Sequence, residues 1–251
     1  MKHILFRYLP VWALLCTVLS CSKQSANPTA SLTLINAVPG STPSLVTNFS
    51  GASPIVWYKN ALKLVYGTST SANLALAYQG DQKLAIYLYP DTTDHSKPLF
   101  NLDLHLQPGN IHTLFLTGTL TEPDTLFTTD IIPYYPFSDS SMGIRFVNLS
   151  AGSNPVSINI AGLANGSETG SLSYKGITGF KRYAATAAVS KYSFEFRDAA
   201  TGTLLGSFDV TGVNALASNA RRFRNFTLAF MGSPTDPTTR KIILIDAYVS
   251  N

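Results

Sequence analysis

Along much of the chain apolar and polar side chains alternate singly, the period expected of strands with one buried face. Tyr192, Phe194 and Phe196 fall on one side of such a segment, and Ser193, Glu195 and Arg197 on the other. Phe100, Leu102, Leu104 and Leu106 likewise oppose Asn101, Asp103 and His105. Pro, Gly, Asn and Asp break these runs at regular intervals. Short alternating runs with frequent turns predict antiparallel sheets stacked as sandwiches, roughly seven strands per unit. One stretch, 213–222, gathers Ala and Leu densely enough to suggest a helix.

The pattern occurs twice. Ser31-Leu32-Thr33-Leu34-Ile35-Asn36-Ala37 aligns with Gly143-Ile144-Arg145-Phe146-Val147-Asn148-Leu149 at an offset of 112 residues, and each copy runs into a turn rich in Gly, Ser and Pro. Lys83 to Leu88 then matches Lys191 to Phe196, Leu99 to Leu104 matches Leu205 to Val210, and Leu114-Phe115-Leu116-Thr117-Gly118 matches Leu228-Ala229-Phe230-Met231-Gly232. Preserved order at offsets of 106 to 114 residues is the mark of a duplicated unit. The expected fold is therefore all-β: two tandem antiparallel Ig-like β-sandwich domains over 31–133 and 142–251, joined by a linker at 134–141. Pro133 and Pro136 resist a central strand there, and Tyr134, Tyr135 and Phe137 are placed to wedge between the units.

The N-terminus reads differently. Lys2, His3 and Arg7 give a basic start, and the apolar run 8–19 is too short for a stable membrane span but suits a signal peptide. Val18-Leu19-Ser20-Cys21 resembles the lipobox of bacterial lipoproteins, which implies cleavage after residue 20 and a lipid on Cys21. The predicted export signal is thus 1–20, and residues 21–30, small, polar and bearing a proline, read as a flexible tether. The expected partner through Cys21 is a membrane, with the protein exported and anchored in the cell envelope at the outer membrane. The acidic cluster that resembles a surface-export signal is missing after the cysteine. Cys16 lies in the leader and Cys21 is consumed by lipid, so the mature chain has no thiol for catalysis, a disulfide or a metal.

The lipobox, the paired units opening on a strand that ends in Asn-Ala or Asn-Leu, and the Leu-Phe-Leu-Thr-Gly strand together resemble the domain of unknown function 4397 family. That resemblance covers about residues 31–250. It implies a Bacteroidota cell-envelope lipoprotein of two consecutive Ig-like sandwiches, with no catalytic residues to carry over. The first unit departs from the family's Asp-rich start at Pro39-Gly40-Ser41-Thr42-Pro43.

Composition narrows the chemistry. Without Lys2 and Arg7 the chain carries 16 basic against 14 acidic residues, which is no nucleic-acid footprint. There is no Gly-x-Ser-x-Gly elbow, no His pair at metal-binding spacing and no cofactor motif. Asp91, Asp94 and His95 share a loop that offers metal-type ligands, and His105 is near Asp103 on a wet face, but neighbouring polar groups on one strand face are ordinary. The mature chain has three glutamates, Glu122, Glu168 and Glu195, none placed by its spacing as half of a hydrolytic pair. Asp91-Thr92-Thr93 and Asp124-Thr125-Leu126 resemble a Bacteroidota O-glycosylation motif.

The expectation is a non-catalytic envelope lipoprotein that binds a protein or a glycan. Two sets of residues are candidates for contact. Arg221, Arg222 and Arg224, interleaved with Phe223, could clamp a phosphate, a lipid headgroup or an acidic glycan, although a solvated loop paired with Asp198 or Asp209 would look the same. Trp57, Tyr58, Tyr87 and Tyr89 could form an exposed strip on which sugar rings stack, or could cover a surface between sheets. The alternatives are a carbohydrate-binding module using that strip, and a glycan-active hydrolase with carboxylates that the sequence does not identify.

Overall fold

A computed structural model of the chain describes residues 29–51, 61–70, 73–91, 93 and 95–247. The leader, Cys21, most of the tether, Trp57, Tyr58, Thr92 and Asp94 lie outside them. The protein is all-β, and the strand signals of the sequence mark real strands. In chain order they are β1 (Thr29–Asn36), β2 (Leu45–Asn48), β3 (Lys63–Leu64), β4 (Leu74–Tyr78), β5 (Gly80–Leu88), β6 (Phe100–Leu106), β7 (Ile111–Gly118) and β8 (Pro123–Thr129). After an irregular stretch follow β9 (Ser141–Leu149), β10 (Val156–Ile160), β11 (Thr169–Leu172), β12 (Lys181–Ala184), β13 (Lys191–Asp198), β14 (Leu204–Thr211), β15 (Asn225–Met231) and β16 (Lys241–Asp246). The helix expected over 213–222 shrinks to a single 3₁₀ turn at Leu216–Ser218, in which no residue is buried. With no apolar face to dock, so short a segment gains nothing from extending.

The two repeats have the same topology. Sheets ordered β4-β1-β7-β8 and β3-β2-β5-β6 come from the first, and β12-β9-β15-β16 and β11-β10-β13-β14 from the second. The sheets are not purely antiparallel as expected: β1 pairs parallel with β7, and β9 parallel with β15. Each opening strand lies beside one that arrives after the chain has crossed to the facing sheet and back, a crossover that returns the chain in the same direction.

Three cores hold the layers. Leu32, Leu34, Leu114 and Leu116 meet Leu45, Leu84, Ile86 and Phe100 inside the first repeat. Ile144, Phe146, Leu228 and Phe230 meet Ile158, Phe194 and Phe196 inside the second. A third cluster of Ile35, Phe115, Val147, Leu149, Ala229 and Met231 packs the sheet of β1 and β7 against the sheet of β9 and β15. The described strands thus form four stacked sheets, and the strands β7, β9 and β15 inside the two inner ones have no wet face. All nine residues of β9 are buried, with Met142, Ile144 and Phe146 entering one core and Val147 and Leu149 the other. The rule of one core face and one wet face holds for the outer strands β6 and β13, where Leu106, Phe194 and Phe196 are buried and Asn101, Asp103 and His105 exposed. Two of the linker aromatics do not wedge between the repeats, Tyr134 being 82% exposed and Phe137 86%, whereas Tyr135 is half-buried with its hydroxyl beside Gly143 of β9. The facing sheets supply the contact themselves.

The repeated Asn has a structural job. Asn36 donates from Nδ2 to the Leu64 carbonyl (2.9 Å) and to Ser41 Oγ (2.9 Å), while its Oδ1 accepts from the Val38 amide (3.0 Å). Asn148 does the same with the Leu172 carbonyl (3.1 Å), Ser153 Oγ (3.1 Å) and the Ser150 amide (3.0 Å). Each pins the end of an inner strand to the edge of the facing outer sheet, satisfying backbone groups that a turn would leave buried and unpaired.

The repeated Gly is equally local in cause. Gly118 and Gly232 have φ of +80° and +91°, and a Cβ at either would lie 2.3 Å from the Glu122 carbonyl oxygen or 2.2 Å from that of Thr239. Gly232→Ala is expected to destabilise the chain by about 1–3 kcal/mol, since both backbone strain and a clash with main chain must be absorbed. A thermal melt within 1 °C of the parent would contradict this.

Contacts across the central interface are polar as well as apolar. Thr117 Oγ1 donates to the Leu149 carbonyl at 2.8 Å, and Lys175 Nζ reaches Asp124 at 2.9 Å. The Tyr66 hydroxyl donates to the Thr239 carbonyl at 2.5 Å; burial, with Asp236 nearby, pushes its phenol up to about 12. At the other end of the interface Asp130, with a side chain 0% exposed, accepts from Arg145 Nη1 at 2.8 Å. Thr113 and Thr128 hydroxyls donate to the same carboxylate at 2.6 and 2.8 Å, and Arg145 Nε donates to Thr227 Oγ1 at 2.8 Å.

Candidate functional site

The outermost sheet of the second repeat builds a polar hollow. Asn159 on β10 stands opposite Glu195 on β13, and Ser157 opposite Arg197, so alternation sends these four side chains to the same outer face while Ile158, Phe194 and Phe196 fill the core. The loop after β10 folds beside them. Asn159, Gly162, Leu163, Asn165, Glu195, Arg197 and Gly202 line a hollow of about 390 Å³.

Its polar groups are held in place. Arg197 donates from Nη2 to Glu195 Oε2 at 2.8 Å and from Nη1 to the Gly202 carbonyl at 3.0 Å. Ser157 Oγ donates to Asn165 Oδ1 at 2.8 Å. Asn159 Nδ2 donates to Glu195 Oε2 at 2.8 Å and to the Ile160 carbonyl at 3.1 Å; both partners are acceptors, which fixes the orientation of the amide. Asn159 Oδ1 is buried and has no hydrogen-bond partner among the described residues. Hydrogen bonds from Arg197 and then Asn159 hold the Glu195 carboxyl below the usual carboxylate range. Leu163, 56% exposed, gives the rim an apolar surface. A fixed carboxylate, a guanidinium and two amides around an apolar edge suit a ligand carrying several hydroxyls, each of which both donates and accepts.

The candidate residues of the sequence fall elsewhere. Tyr87 is 1% exposed, so it cannot serve on a solvent-facing strip; both faces of its sheet are covered around Val46, Ala85 and Tyr87. Tyr89, two residues on and past the end of β5, is 39% exposed, with Lys63 Nζ 5.3 Å from its ring centre. Trp57 and Tyr58 lie outside the described residues.

The three arginines do not converge into a clamp. Arg221 lies over the Phe226 ring at 5.0 Å and donates to the Thr211 carbonyl at 3.0 Å. Arg222 lies over Phe223 at 4.7 Å and donates to Asn219 Oδ1 and the Leu216 carbonyl. Arg224 pairs with Asp246. The carboxylates considered for them serve others: Asp209 binds Lys191 at 2.6 Å, and Asp198 accepts from Asn154 and from the Ala200 and Thr201 amides.

His105 meets Asp81 at 2.9 Å, directly across the strand pair, while Asp103 faces Lys83 at 3.2 Å. Glu168, whose side chain is 2% exposed, is engaged by Lys181 Nζ at 2.8 Å and by the Tyr183 hydroxyl. Sequence reasoning placed Glu195 and Arg197 on the wet face but missed Asn159 as their partner. The signal was available in Val156-Ser157-Ile158-Asn159-Ile160, whose alternation puts Ser157 and Asn159 together on the outer side.

No family model matches the chain, and no curated protein matches it. Among solved structures, an α-glucan-binding protein described as a streptococcal virulence factor aligns over 89% of this chain and 100% of its own, at 12% identity and a TM-score of 0.29. The family 26 carbohydrate-binding module CBMbc of Eubacterium rectale Amy13K, solved with maltoheptaose, aligns over 86% and 96%, at 11% identity and 0.27. A putative adhesin from Bacteroides ovatus aligns over 84% and 92%, at 11% identity and 0.22. Scores this low carry no functional conclusion, and what the hollow does must come from its own side chains.

Proposed function

We propose that the chain is an exported, non-catalytic binding protein of the bacterial cell envelope, held at the outer membrane by lipid on Cys21. Its ligand is a glycan that docks in the hollow over β10 and β13. The observation that carries the binding site is Asn159 Oδ1, buried without a hydrogen-bond partner in the wall of a hollow that also presents Glu195 and Arg197. An unsatisfied buried acceptor is costly, and a ligand hydroxyl that displaced the side chains covering it would supply the donor it lacks. The lining contains one carboxylate, Glu195, whereas hydrolysis of a glycosidic bond ordinarily uses two. The anchor is supported by the basic start, the apolar run and Val18-Leu19-Ser20-Cys21.

The test is a glycan array probed with the chain from Ser22 onward, which contains the sixteen described strands. Asn159→Ala and Glu195→Gln are each expected to weaken the captured glycan by about tenfold or more, the loss of a hydrogen bond to a buried or charged group. Because Glu195 ionises below the usual range, binding is expected to persist as pH falls through ordinary carboxylate values and to fade only below them. A folded chain that captures no glycan, or one whose variants bind as the parent does, would overturn the glycan reading. Acyl mass on Cys21 in membranes, absent from Cys21→Ser, tests the anchor separately.

A further inference from the structure

Among the described residues the three most exposed large apolar side chains are Ile131 (87%), Phe137 (86%) and Tyr134 (82%), all in the stretch between β8 and β9. Elsewhere the highest value is the 56% of Leu163. Three such side chains within seven residues form a patch that water does not favour. Phe223 extends it, meeting Phe137 edge to face at 5.1 Å.

The patch sits at the end of the molecule from which the tether departs. Thr29 opens β1, and its carbonyl accepts from the Gly109 amide at 3.0 Å. Ser31 is in register with Ile111, and the Asp130 amide, one residue before Ile131, donates to the Ile111 carbonyl at 2.8 Å. Asn225, next to the arginine loop, donates to the Pro133 carbonyl at 2.8 Å. The start of β1, the apolar linker and the loop 219–224 therefore share one end. The opposite end carries the polar turns Thr119-Leu120-Thr121-Glu122, Ser150 to Asn154 and Ser233 to Asp236.

The carboxylates at the tether end each have a partner: Asp139 is taken by Arg182, Asp246 by Arg224, and Asp81 meets the His105 imidazole. Arg221 and Arg222 donate to neutral acceptors, the Thr211 carbonyl, Asn219 Oδ1 and the Leu216 carbonyl; Asp246, which pairs with Arg224, also lies beside Arg221, while the charge of Arg222 is left in place by these hydrogen bonds. From Cys21 to Thr29 an extended chain spans at most about 28 Å. A lipid on Cys21 therefore keeps this end close to the bilayer surface.

We infer that the end formed by Ile131, Tyr134, Phe137 and the Arg221–Arg222 loop docks on the membrane surface, with the apolar side chains entering the headgroup region and the arginines facing anionic lipid. Tyr and Phe with adjacent cations are the residues that settle at such interfaces. The inference rests on the anchoring proposed above. It adds that the body lies against the membrane with a fixed end down, leaving the polar turns of the far end directed away.

The test uses the lipidated protein in vesicles of phosphatidylglycerol and phosphatidylethanolamine, with a single added thiol carrying an environment-sensitive dye. Cys21 is acylated and Cys16 lost with the leader, so Ser138→Cys and Thr235→Cys each give a unique label, one at each end. The dye at 138 is expected to shift to the blue and to be quenched by headgroup-depth quenchers, while the dye at 235 stays in water. In the Ile131→Ser/Tyr134→Ser/Phe137→Ser background the shift at 138 should vanish, and flotation of the unlipidated chain with the same vesicles should fall on the order of tenfold. A dye at 138 that stays in water on a lipidated, folded protein overturns the docking and leaves the anchor intact. Absence of acyl mass on Cys21 overturns the anchor, and flotation that the triple substitution does not lower overturns the docking in that case too.

Discussion

Replacing Arg145 with Met is expected to lower the stability of the chain by about 3–5 kcal/mol, the usual cost of leaving one partner of a buried ion pair uncompensated. Asp130 would remain with its side chain 0% exposed and its negative charge balanced only by the Thr113 and Thr128 hydroxyls. Thr227 Oγ1 would lose its donor, and the Phe180 ring the guanidinium now 4.7 Å from its centre. The pair joins the middle of β9 to the residue that follows β8, so the loss falls on the contact between repeats. Urea denaturation should show a lower midpoint and a broadened or split transition as the repeats uncouple. Replacing both partners, Asp130→Leu with Arg145→Met, is expected to recover most of the loss, because no bare charge then stays buried. A single substitution costing under about 1 kcal/mol would mean that water reaches the carboxylate and that this end of the interface is not sealed.

The second large effect belongs to the duplicated Asn. Asn36→Ala and Asn148→Ala are each expected to cost about 2–4 kcal/mol, since each leaves a buried carbonyl and a buried amide without the partner that satisfied them. The two values should agree within about 1 kcal/mol, because the three contacts are the same in both repeats. Asn→Asp at either site should cost at least as much, as the carboxylate keeps the acceptor and loses the two donated bonds. Chemical denaturation of the four variants measures this, and a cost confined to one repeat would show that equal geometry does not mean equal energetics here.

The outer strands were legible in the sequence because water marks them. In β13 and β6 the polar side of the alternation faces solvent, so residue chemistry and position agree. The inner strands carry no such mark. Arg145 alternates with Ile144 and Phe146 and looks like a surface residue, yet Val147 and Leu149 share its face and are buried against the first repeat. An apolar pair in register with a lone charge was the available sign that this face is not wet.

Tyr87 fails as a surface residue although its strand lies in an outer sheet: alternation gives the face, but not whether the chain covers it. Parallel pairing of β1 with β7 was illegible because periodicity carries no strand direction. The Asn and Gly positions were visible as a repeat, although their purpose, three hydrogen bonds and a backbone turn that excludes Cβ, needed the partners that lie 24 to 28 residues away or across a hairpin. The hollow was half legible. Glu195 and Arg197 were placed correctly outward, and only the register of β10 brought Asn159 to them.

The position of β1 also has a mechanical meaning. A pull on the tether acts at Thr29 along the strand axis, and β1 lies between two neighbours, antiparallel β4 and parallel β7. Its registers with them run from Thr29 to Thr33 and from Ser31 to Asn36. Tension therefore shears all these rungs together instead of unzipping them one after another. A protein tugged by a captured ligand at one face and restrained at its anchor would resist extraction of its first strand with the combined strength of both ladders.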